Sequence, residues 1–159
     1  MRKLAPAFCL VVALVCAPGA SPATGTHVVG LHGIRAVAPP SWHLANEVLS
    51  ICTSPSQTMA ITNARGLIPA DAKLSGKVGL VLLMEAKGGG GEGFTPRRMF
   101  GRLPSSSAIG GCCDMPEGRG VEFVFRDHGR DFYAFLYAAD PSIASEGLAI
   151  LNSLQVRKL

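Results

Sequence analysis

Residues 120–138, GVEFVFRDHGRDFYAFLYA, are two β-rich runs hinged on His128-Gly129. A tight hairpin needs positive φ at its turn, which Gly supplies without steric cost. Side chains alternate across a strand. Val121, Phe123 and Phe125 therefore share one face of the first run, and Phe132, Ala134, Leu136 and Ala138 share one face of the second. The other face of the second run carries Tyr133, Phe135 and Tyr137. A strand apolar on both faces has something packed on both sides, most simply a C-terminal helix on one of them.

That helix is legible just downstream. Asp140 reads as an N-cap and Pro141 as the first helical residue. Ile143, Ile150, Leu151 and Leu154 recur at helical spacing with Leu148 alongside, and Gly147 on the apolar side lets the helix lie close to the sheet. Residues 155–159 read as a short edge strand or a tail.

Upstream, residues 77–86 form the strongest other strand. Val78, Leu80, Leu82 and Met84 lie on one face and Val81 and Leu83 on the other, which predicts a central position. Residues 57–64 predict a strand with Met59 and Ile61 opposite Thr58, Ala60 and Thr62, turned by Arg65-Gly66. Ile34, Ala36 and Ala38 alternate with Arg35 and Val37 until Pro39-Pro40 ends the strand. The single tryptophan, Trp42, plugs the core edge there or stacks on a ligand. Residues 44–52 and 97–103 are expected as strands, 70–74 as a helical turn and 114–118 as a turn. Gly88, Gly90 and Gly93 satisfy a dinucleotide-binding spacing, but Phe94-Thr95-Pro96 follows in place of a helix, so residues 88–93 read as a connecting loop. Residues 105–111 read as a second mobile loop.

The N-terminus reads as an export signal: Arg2 and Lys3, an apolar run over 7–17, a Pro18-Gly19 break, and small residues at Ser21 and Ala23. The expected organisation is a signal peptide over 1–23, a flexible lead-in over 24–32 and a single domain over 33–159. The apolar run falls short of the roughly 20 residues a membrane span requires, so no transmembrane span is expected in the mature chain. Cys16 is not read as a lipid attachment site, because Val15 stands where such signals carry a small residue.

The 159-residue chain holds 15 Lys plus Arg against 11 Asp plus Glu. Without Arg2 and Lys3 it is nearly neutral, so a nucleic-acid role has no electrostatic support. The local cluster Arg97, Arg98 and Arg102 is the one basic candidate for a ligand or partner surface, with Trp42 beside it as an aromatic candidate. His27 and His32 lack the neighbours a metal site needs, and nothing in the chain implies a cofactor.

Of five cysteines, Cys9 and Cys16 fall in the signal, leaving Cys52, Cys112 and Cys113. Adjacent residues are about 3.8 Å apart at Cα, too close for the usual disulfide. In an oxidising compartment Cys52 is expected to pair with Cys112 or Cys113. In the chain-entropy model, closing a loop of that length is worth about 4 kcal/mol.

A strand running into Pro40-Ser41-Trp42, successive antiparallel strands, the Gly129-Arg130 hairpin and a closing helix at Ile150-Leu151-Asn152-Ser153-Leu154-Gln155-Val156 together resemble the PsbP-like superfamily of exported α/β/α domains across residues 30–157. The resemblance implies an α+β fold, a twisted antiparallel sheet with helices packed on it. It also implies an accessory, binding or assembly role without a shared catalytic site. The chain departs from that pattern in leaving little sequence for a second helical layer and in its Gly-rich loops.

The function expected is therefore a secreted, periplasmic or cell-envelope binding or accessory protein, its partner an envelope protein or a small ligand. The alternative is a thiol-dependent enzyme or redox protein using Cys112 or Cys113, with His128 or His43 as base and Asp114, Asp127 or Asp131 as orienter.

Overall fold

The computed structural model describes residues 25–69, 72–88, 93–101, 107–109 and 116–158. The signal-peptide reading, Arg102, Cys112, Cys113 and Asp114 lie outside them.

The hairpin forms as the alternation predicts. Strand β8 (Glu117–Asp127) pairs with β9 (Arg130–Ala138) from Gly120↔Tyr137 to Asp127↔Arg130. His128 and Gly129 have φ of 50° and 79°. Two positive φ values make the turn whose twist matches that of paired strands. The same dipeptide turns an earlier hairpin. His32 and Gly33, at φ 49° and 76°, join β1 (His27–Leu31) to β2 (Ile34–Ala38). The expected lead-in over 24–32 is thus largely a paired strand.

Strand β4 (Ser56–Thr62) pairs with β6 (Gly79–Ala86), and β6 pairs with β9, so β6 is central as expected. The main sheet runs β3 (His43–Leu44), β4, β6, β9, β8, β5 (Lys73–Leu74), with β7 (Ser107–Ile109) also on β8. Every pairing is antiparallel except β5 with β8, so the sheet is mixed at that one place. A three-stranded sheet places β2 between β1 and β10 (Gln155–Val156), the predicted C-terminal edge strand.

Helix α1 (Pro141–Asn152) packs on the sheet through Ile143, Ala144, Gly147, Ile150 and Leu151. Asp140 caps it by accepting the Ser142 N–H at 2.8 Å. One core lies under the helix, with Val81, Leu83, Phe125, Phe132, Ala134 and Leu136. A second lies on the opposite face, with Leu80, Leu82, Met84, Phe135 and Tyr137. Burial on both faces of β6 and β9 follows from their two-sided apolar pattern.

The second face has no helical layer among the described residues. Leu49 and Ile68, from irregular segments, cover it instead. Residues 44–52 are not the expected strand beyond Leu44. The Gln57 amide takes over local backbone groups, accepting from Leu49 N–H at 2.7 Å and donating to the Glu47 carbonyl at 2.9 Å. Lys73 and Leu74, expected in a helical turn, are strand β5. Glu117 and Gly118, expected in a turn, begin β8. Ser107–Ile109, expected in a mobile loop, pair with β8 as β7. Among the described residues no helix is long and apolar enough to cross a membrane.

Candidate functional site

Residues 97–103 are expected as a strand, but 97–101, the part of that stretch among the described residues, are not one. Residues 95–100 form an irregular strap tied at two places. Arg126 N–H donates to the Thr95 carbonyl at 2.7 Å and Arg97 N–H to the Arg126 carbonyl at 2.9 Å, which fixes the strap to β8. The Asn152 side chain accepts from Phe100 N–H at 2.7 Å and donates to the Phe100 carbonyl at 3.1 Å, which fixes it to the end of α1. Pro96 has no N–H to give a ladder, which suits a strap better than a strand.

Between this strap and the hairpin tip lies an open cleft of about 560 Å³, lined by Arg97, Arg98, Met99, Arg126, Asp127 and His128, with Pro96 and Asn152 at its margins. The cations differ in what they hold. Arg97 is largely covered, its Nε 2.7 Å from Asp127 Oδ2 and its Nη2 donating to the Leu154 carbonyl at 2.8 Å. Arg126 makes a two-point contact with Asp131, Nε to Oδ1 at 2.5 Å and Nη2 to Oδ2 at 2.8 Å. The hydrogen bond and then the charge of Asp131 raise the Arg126 pKa above its ordinary value. Arg98 is exposed and makes no hydrogen bond or ion pair among the described residues. His128 Nδ1 is 2.7 Å from Asp127 Oδ1, leaving Nε2 as the imidazole's other polar atom.

A second cleft of about 370 Å³ lies on the other flank of the tip, bounded by Lys87, Lys158 and His128. Its floor is the buried pair Arg130 and Glu85, Nε to Oε1 at 2.7 Å and Nη2 to Oε2 at 2.6 Å. The hairpin tip thus projects with cationic groups on both sides, its carboxylates engaged within the fold.

Of the predicted surface residues, Arg98 faces the cleft and Arg97 lines it while serving the fold. Trp42 is fully buried at the opposite end of the sheet, its Nε1–H donating to Glu146 Oε2 at 2.6 Å, and is closed to any partner. Of the groups considered for thiol chemistry, Asp127 and His128 are brought together. His43 pairs with Thr62 at the far end of the sheet, and Asp131 is held by Arg126. Cys52 is half-buried against the second core. His27 and His32 sit on β1 and in its turn, and no group of three or more His, Cys, Asp or Glu among the described residues is placed to hold a metal.

Sequence reading missed Arg126, Met99 and Asn152. The first had a signal: a two-residue turn at 128–129 places 126 opposite 131. The other two enter through the strap's tie to the helix end, which leaves no mark in the sequence. No protein-family model, curated protein or solved structure matches the chain.

Proposed function

We propose that the protein is an exported binding or accessory module, acting at the cell envelope or beyond it, that receives an anionic partner or ligand in the cleft beside the hairpin tip. One observation carries this reading: three arginines line one cleft, two are paired with carboxylates of the fold, and the third, Arg98, stands exposed without a partner among the described residues. A cation held on a rigid scaffold, with its field uncancelled, attracts anions. Among the described residues the cleft walls carry no Ser, Thr, Cys or Tyr to serve as a nucleophile, which favours binding over covalent chemistry. Export rests on the signal-like residues 1–23, and the likeness to PsbP-like accessory domains belongs to the same proposal.

Native mass spectrometry of protein purified from its own envelope fraction tests the reading. The expected result is a retained small molecule or partner in the wild type that is lost in Arg98→Glu. Equal retention by the variant would remove this surface from consideration.

The Asp127–His128 contact favours a second reading, because a carboxylate on Nδ1 orients an imidazole as a base. A thiol at Cys112 or Cys113 would then be the nucleophile. Alkylation rates followed against pH decide it: a thiol of ordinary reactivity, unchanged in His128→Gln, eliminates the enzyme.

A further inference from the structure

We infer that the ligand class is an amphiphilic monoanion, its carboxylate on Arg98 and its apolar chain or ring laid along Met99, Phe100 and Phe123. This rests on the binding reading above and specifies the ligand of the same cleft. A smaller cleft of about 220 Å³ adjoins the first and shares Pro96, Arg98 and Met99 with it. The rest of its lining is mostly apolar, with Phe100, Phe123, Val124 and Phe125. The Phe100 ring is 4.7 Å from that of Phe123 and 5.4 Å from that of Phe125, so the floor is a set of interlocked aromatic rings.

Met99 is 87% exposed. An unbranched thioether adapts to the shape of what lies on it, and a contiguous apolar patch beside a polar rim marks an interaction site. Arg98 stands where the two clefts meet, so a single ligand touching it has a cationic cleft on one side and an apolar one on the other.

Charge sets the head group. The carboxylates of Asp127 and Asp131 engage Arg97 and Arg126. Among the described residues of the cleft one guanidinium, that of Arg98, is left without a carboxylate, and one negative charge matches it. A carboxylate accepts two parallel N–H donors from such a fork. The main cleft falls within the roughly 300–1,000 Å³ of small-ligand sites.

Isothermal titration of the purified protein with decanoate below its micelle concentration, with acetate, with decanol and with phosphatidylglycerol vesicles tests the inference. Decanoate is expected to bind at one site at least about tenfold tighter than acetate or decanol, since it alone supplies both contacts. Arg98→Gln and Met99→Ser each weaken it about tenfold with the thermal midpoint unchanged, as both side chains are exposed. If acetate matches decanoate and both need Arg98, the apolar half of the inference fails while the binding reading stands. If decanoate binds both variants like the wild type, the assigned site is wrong. If vesicles bind and monomeric decanoate does not, a membrane surface replaces the small ligand. If no probe binds and Arg98→Glu leaves native retention unaltered, the inference and the reading beneath it both fail.

Discussion

Arg97 and Arg98 are neighbours in sequence with opposite roles. The Arg97 side chain is 23% exposed and joins Asp127 to the carbonyl that follows the helix. Arg97→Glu would set two carboxylates against each other and strand that carbonyl, and is expected to cost about 2 kcal/mol in denaturant unfolding. Arg98→Glu is expected to stay within about 0.5 kcal/mol of wild type in the same assay, so a loss of binding in that variant reports the surface and not the fold. Tyr137 offers a second test. Its hydroxyl is buried without a hydrogen-bond partner among the described residues, and burial followed by the charge of Glu122 pushes its pKa well above the usual 10.0. An unpaired buried hydroxyl is a cost to the folded state, so Tyr137→Phe should be neutral or stabilising by up to about 1 kcal/mol. The pH dependence has a definite sign. The unfolded phenol releases its proton near pH 10 while the folded one retains it, so stability is full below that pH and falls as pH rises above it. Alkaline unfolding curves should show this fall in the wild type and its reduction in Tyr137→Phe.

At the scale of elements, helix α1 combines two devices that substitution separates. A Cβ at Gly147 would overlap Leu136 Cδ1. Gly147→Ala should therefore destabilise by about 1–3 kcal/mol from overpacking, although alanine alone would favour the helix by up to about 1 kcal/mol. Asp140 has its pKa lowered by hydrogen bonds from the Ser142 hydroxyl and backbone N–H. Its contribution is present above the ordinary carboxylate pKa and is lost as pH falls through the lowered folded value. Asp140→Ala should lower the thermal midpoint at neutral pH and flatten its acid dependence, while Asp140→Asn, which still caps, should keep most of the midpoint. The helix, its cap and the Gly147 approach were all legible, because each is written within one turn of sequence. The first hairpin was not, although His32-Gly33 repeats the His128-Gly129 turn. The second turn is flanked by strong apolar alternation. The first is preceded by His27–Leu31, where Val29 alone is buried and Gly30 weakens strand character.

At the scale of the molecule, one sheet supports two cores through the two-sided strands β6 and β9, and that much followed from their apolar pattern. The cleft did not, since it needs the strap, the hairpin tip and the helix end to converge from separate stretches of chain. Only the local Arg97-Arg98 cluster pointed toward it, and burial then gave those two residues different duties. With no helical layer over the second core among the described residues, the expected Cys52 cross-link gains importance. Non-reducing peptide mapping of exported protein should find Cys52 joined to Cys112 or Cys113, and reduction should lower stability by up to about 4 kcal/mol. Strand β10 carries a consequence of another kind. It completes the small sheet against β2, at Gln155↔Arg35 and Val156↔Ile34, so a pairing of residues about as far apart in the chain as any in this fold comes last. A chain that emerges N-terminus first cannot close this seam until residues 155–156 are out. Until then the hairpin and central strands can assemble, but β2 waits with one edge open.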